Sequence, residues 1–252
     1  MSLFDKLKKD SRSSQTFQTQ MFSGVYPIDR SNFRDVFSAC LGRMIHVQRA
    51  FDEVVVRGRS MDADFSFGRL RVGEEEYPIQ FIGTEAAESR TWRWGWDNVN
   101  GFDDSVLKLV GETRAKGEAW GLAPFTENGF EVSDAVNGQS LAVATCGISA
   151  DNYALLRYVY DEGTAFAAVS NLPAGVFAPA DVDRFATNVM RGIQRYEVDH
   201  KVFLESYLRW NGTPYEWDGR YLTAHFSLDL VVTFENKDGV MRIAGMKTNR
   251  KL

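Results

Sequence analysis

Apolar residues recur at three- and four-residue spacing over 32–51, where Phe33, Val36, Phe37, Cys40, Leu41, Met44, Val47 and Phe51 form one stripe. That spacing predicts an amphipathic helix. Asp29 and Ser31 offer capping oxygens just before it, Gly58 helps end the segment beyond it, and His46 falls off the stripe as a solvated side chain. The period then drops to two. Segments 65–72, 77–82 and 91–98 read as strands joined by short polar turns, hence as an antiparallel meander, with Gly68 at a β-bulge in the first. The third strand carries Thr91-Trp92-Arg93-Trp94-Gly95-Trp96-Asp97-Asn98. Strict alternation puts Trp92, Trp94 and Trp96 on one face and Arg93 and Gly95 on the other, with Tyr77, Ile79 and Phe81 close to the indoles.

Asp103 and Asp104 open a helix reaching about residue 117, with Val106, Leu107 and Val110 as its apolar contacts, and a second helix is expected over 133–147. Asp161-Glu162-Gly163 reads as the turn of a hairpin between 152–160 and 164–169. A long helical region over 179–210 needs a bend near 197–199 to reconcile its two apolar stripes. The end of the chain returns to strands at 215–217, 221–235 and 240–246. In the longest of these, Phe226, Leu228, Leu230, Val232 and Phe234 alternate with His225, Ser227, Asp229, Thr233 and Glu235, the pattern of a sheet with one wet side.

These elements predict an α+β fold of antiparallel β-meanders packed against helices. The expected organisation is a mobile leader over 1–21, a core over 22–172, and a helix plus C-terminal meander over 173–252 packed on that core. Within the leader, Leu3, Phe4 and Leu7 beside Lys6, Lys8 and Lys9 make only a small apolar face.

Composition narrows the function. A net charge of −5, from 34 acidic and 29 basic residues, argues against nucleic acid or an anionic membrane as the main partner. No apolar run is long enough to span a bilayer and the N-terminus lacks a secretory signal, so a cytoplasmic protein without stable membrane insertion is expected. Cys40 and Cys146 are too far apart in sequence for a paired motif and read as buried thiols.

Three groups of residues carry candidate chemistry. The tryptophan row is either a core layer or a stacking surface for a ligand, with Arg93 and Asp97 at its edge; core packing is preferred because exposed indole triplets are rare. His225 and Asp229 share a strand face about 13 Å apart at the usual rise, too far for a hydrogen bond. The acidic sets Asp62 and Asp64, Glu74 to Glu76, and Asp103 with Asp104 fall near turns or helix starts, where turn and cap duty explains most of them. No nucleotide, hydrolase or zinc motif is present, and neither a metal nor another cofactor is expected.

The run Ile82-Gly83-Thr84, then the tryptophan strand, then Gly117-Glu118, and more weakly Asn152-Tyr153, resembles a bacterial domain family of unknown function over about residues 60 to 172. The resemblance implies a single α+β domain and brings no activity or catalytic residues. Arg93 and Gly95 depart from it, standing where small or apolar residues are more usual. The expected function is that of a non-catalytic protein-binding or accessory protein, immunity-like, that engages another protein through an acidic surface. The alternative is a small-molecule-binding protein or enzyme with an aromatic pocket at Trp92, Trp94, Trp96, Arg93 and Asp97.

Overall fold

The computed structural model describes residues 22–249, and the expected leader lies outside them. The fold is α+β, with two antiparallel sheets and helices, and the chain divides into two compact units. The first helix, α1 (Phe33–Phe51), contributes Ser38–His46 to one unit and its two ends to the other.

The unit formed by Asp29–Phe37 and Val47–Ala178 holds a seven-stranded sheet. Asn32, rather than Asp29 or Ser31, caps α1: its side chain accepts from the Arg34 N–H, while Asp29 is spent on the N–H and hydroxyl of Ser31. Strands β1 (Met61–Asp64) and β2 (Arg69–Val72) form a hairpin where one bulged strand was expected. The Phe65–Phe67 segment is the turn between them, because Asp64 accepts from the Phe67 N–H and Gly68 takes a φ of +63°.

The centre of this sheet is β3 (Glu75–Ala86), which pairs with β2 and β4 (Thr91–Trp94) and also with β7 (Gly163–Val169). Its register slips between Phe81 and Gly83. An extra residue in a strand reverses the side-chain alternation. Phe81 therefore shares a face with Thr84 and Arg93, not with the indoles as the simple alternation predicts. Beyond β4 lies β5 (Gly129–Glu131), and beyond β7 lies β6 (Ala154–Tyr160).

Helices α2 (Lys108–Trp120) and α3 (Gly138–Ile148) belong to the same unit. Both start later than the sequence pattern suggests. Asp103 caps a single 3-10 turn, Asp104–Val106, before α2, and α3 waits for a capping box between Asn137 and Ser140. Every residue of α3 except Gln139 is buried.

The other unit contains the described residues from Pro179 onward together with Ser38–His46 and the described residues before Asp29. Helices α4 (Val182–Arg195) and α5 (His200–Asn211) flank the expected break, each with an aspartate cap, Asp181 and Asp199. The four-stranded sheet runs in the order β11-β10-β9-β8, with β8 (Tyr215–Asp218), β9 (Tyr221–His225), β10 (Asp229–Lys237) and β11 (Val240–Asn249). The segment read as one strand over 221–235 is thus a hairpin. Its three-residue loop, Phe226-Ser227-Leu228, lies between His225 and Asp229, which become cross-strand partners. No described helix is long and apolar enough to cross a membrane.

Candidate functional site

The tryptophan row divides at Gly95. Only Thr91–Trp94 is strand; Gly95–Asp97 turns into a 3-10 helix and Asn98 takes a left-handed φ of 43°. A side chain at position 95 would press on the Phe81 ring and the carbonyls of Phe81 and Ile82, so glycine lets the chain turn in close to β3. The Asn98 side chain fixes the turn by accepting from the Phe102 N–H at 2.7 Å and donating to its carbonyl at 2.9 Å. Trp96 therefore leaves the strand alternation.

Trp92 and Trp94 lie in the core, each 1% exposed. Their rings meet edge to face at 5.1 Å, Trp92 touches Phe166, and Trp94 touches Phe125. Gly83 makes room for this layer, since a Cβ there would collide with the Trp92 ring and the Arg93 carbonyl. The Trp94 Nε1–H donates to the Pro124 carbonyl at 3.0 Å, whereas the Trp92 Nε1–H has no partner among the described residues. Trp96 stacks on Trp94 at 4.4 Å and donates to the Asn128 side chain, and the Arg114 guanidinium lies 5.7 Å from its ring centre.

The polar residues of the expected site are elsewhere. Arg93 alternates with the indoles, points to the opposite face of the sheet, and pairs with Asp97 at 3.4 Å. Beside it is a recess of about 10 Å³ lined by Phe81, Thr84, Arg93, Trp94, Asn98 and Val99 among others. That is room for about one water. The same face carries Tyr158 and Tyr160, which the β6–β7 register aligns with Ala165 and Gly163. Tyr158 packs edge to face on Phe65, and Phe65 on Phe81. On the indole face, by contrast, a Glu85 carboxylate oxygen accepts from the Gly138 N–H at 2.6 Å, at the positive end of α3.

In the C-terminal unit the hairpin reverses the expectation for His225. Its Nδ1 is 3.0 Å from Asp229 Oδ1 and its Nε2 is 4.0 Å from Glu216 Oε1. Asp229 takes Nδ1, and among the described residues no hydroxyl or thiol is hydrogen-bonded to Nε2, the contact that a hydrolytic triad requires. His46 is corrected as well: it is buried, with Nδ1 3.1 Å from the Tyr207 hydroxyl, which also accepts from Asn188 at 2.9 Å. Gly42 permits this closeness, because any larger residue would meet the Tyr207 ring.

Sequence reasoning missed a buried carboxylate with three donors. Glu205 is 1% exposed and accepts from the Val25 N–H at 3.0 Å, the Tyr26 N–H at 3.1 Å and the Trp217 Nε1–H at 2.9 Å. Lys201, one turn earlier, donates to the Tyr26 hydroxyl at 2.6 Å and lies over the Tyr26 and Trp217 rings. The available signal was an acid inside the apolar stripe Phe203, Leu204, Tyr207 and Leu208. Among the described residues, no cluster of three or more His, Cys, Asp or Glu side chains has the arrangement of a metal site.

No curated protein and no solved structure shows a significant match to the chain. A family model does, starting inside α1 rather than at the first strand and ending just after β7. It covers residues 34–172 of 252, more than half of the chain, and the protein therefore belongs to the family of unknown function DUF6882.

Proposed function

We propose that this protein is a non-catalytic binding protein, accessory or immunity-like in role, that engages another protein through the Arg93 face of the seven-stranded sheet. The observation that carries the reading is the division of the tryptophan strand. Its indoles face the core, while its arginine faces a surface where Val99 is 62% and Tyr158 43% exposed. Exposed apolar and aromatic side chains among polar ones are what protein interfaces use as anchors. Asp97, paired with Arg93, and Glu131, opposite Thr91 on the same face, supply acidic groups beside it, in keeping with the net charge of −5. A basic or mixed protein surface fits such a rim, nucleic acid does not, and the setting is cytoplasmic.

The pocket alternative draws less support. A drug-sized ligand occupies a cleft of roughly 300–1,000 Å³, far beyond the recess of about 10 Å³ beside Arg93. The test is affinity capture from the source lysate by the tagged full chain, in parallel with an Arg93→Glu/Tyr158→Ser variant shown to melt at the native temperature. The expected result is a protein retained by the native chain and lost from the variant. Equal retention by both would refute this face as the binding surface.

A further inference from the structure

One edge of the seven-stranded sheet is formed by β6, which pairs with β7 on one side and, among the described residues, with no strand on the other. Part of that open side is occupied. The Leu155 N–H donates to the Gln48 side chain of α1 at 3.2 Å. Because backbone groups alternate along an antiparallel ladder, the N–H and C=O of Arg157 and Val159 point the same way as those of Leu155, away from β7. Val159 is 61% exposed, and Tyr158 and Tyr160 beside it are also exposed. Edges of this kind are normally blunted by charge, proline or a bulge. Here the charges are complementary to one another: Arg157 lies two residues before Val159 and Asp161 two residues after it.

We propose that β6 pairs antiparallel with β6 of a second copy of this chain, about a two-fold axis at Val159. In this register Val159 meets Val159 of the second copy and exchanges two backbone hydrogen bonds with it. Arg157 then faces Asp161 of the second copy, Tyr158 faces Tyr160, and the symmetry makes each pair twice. Only an axis at Val159 sets Arg157 against Asp161, and an axis at Arg157 would pair Val159 with Leu155, whose N–H Gln48 already holds. Pairing of this kind continues the sheet across the axis and sets two Arg93 faces side by side, so one dimer presents the surface twice. The proposal does not depend on which protein that surface binds. Since few residues pair, the dimer is weak and dissociates on dilution.

Sedimentation velocity of the full chain over a dilution series tests this, with a thermal melt to confirm that each variant is folded. The native chain is expected to pass reversibly from dimer to monomer. Val159→Pro removes the N–H at the axis, at an edge position where the monomer does not use it, and gives monomer throughout. Arg157→Asp and Asp161→Arg each set like charges together and weaken the dimer about tenfold, while the two substitutions combined restore it. A native chain that stays monomeric at every concentration overturns the proposal. So does a dimer indifferent to Val159→Pro, or charge reversals that add instead of cancelling.

Discussion

The two units bury different kinds of group. In the seven-stranded unit the interior is built round a layer of rings, with Trp92, Trp94, Phe125 and Phe166 in contact and an indole N–H–carbonyl bond anchoring Trp94. Its buried polar side chains are small hydroxyls such as Thr113, Ser140 and Thr145. In the C-terminal unit the interior also contains polar side chains, each tied to specific partners: Glu205 to two backbone N–H groups and an indole, Tyr207 to His46 and Asn188, and Asn211 to both backbone groups of Ala180. An apolar layer tolerates substitutions that keep its volume, whereas a buried polar group tolerates almost none, because each lost partner strands another group away from water. The sensitivity of the two units to small changes should differ accordingly.

Glu205→Ala is the largest expected effect. It strands the Val25 and Tyr26 N–H groups and the Trp217 Nε1–H, and should cost about 3–5 kcal/mol in chemical denaturation. Glu205→Gln keeps the volume but turns part of the acceptor into a donor, and should recover less than half of that loss. If Glu205→Gln is neutral, the polar interior of this unit is not the constraint described.

The aromatic layer gives the next test. Trp94→Phe loses the bond to Pro124 and strands that carbonyl, while Trp92→Phe removes an N–H that had no partner among the described residues. Both remove ring volume, so the difference between them isolates the polar term. Trp94→Phe should be the more destabilising by about 1 kcal/mol. Equal losses would mean that ring volume alone governs the layer.

The smallest effect is a pH dependence. Burial, with Asp151 beside it, pushes the Tyr153 phenol above its ordinary range. A phenol that holds its proton more tightly when folded contributes stability that is complete below the unfolded value, about 10, and fades as the pH rises beyond it. Native stability should therefore fall above about pH 10, and Tyr153→Phe should flatten that fall, as read from thermal melts across the alkaline range. An unchanged alkaline slope would show that Tyr153 does not set it.

The apolar periodicities were the legible part of the fold. The stripe of α1, the hairpin at Asp161-Glu162 and the break between α4 and α5 follow from local pattern, although Gly163 stands in β7 rather than in the turn. The breaks that matter for the candidate site did not. Gly95 ends the tryptophan strand because of what lies across it on β3, and the Ile82 bulge turns Phe81 away from the indoles, both consequences of tertiary contact. The loop Phe226-Ser227-Leu228 has no glycine, proline, asparagine or aspartate and continues an unbroken alternation, so its reversal leaves no mark in the sequence. For that reason His225 and Asp229 read as distant and are in fact hydrogen-bonded.

Trp92 and Trp94 sit in the core, and the proposed functional surface lies on the other side of β4. A thermal-shift screen of the purified chain against sugars, nucleotides, amino acids and lipids tests it directly. A ligand present at a hundredfold excess over its dissociation constant stabilises the native state by about 2.7 kcal/mol, an easily measured rise in Tm. A flat screen is the predicted result. A rise with any of these compounds that Trp96→Ala or Arg93→Ala abolishes, in chains that otherwise melt as the native one does, would place a pocket where the structure puts packed rings and an ion pair.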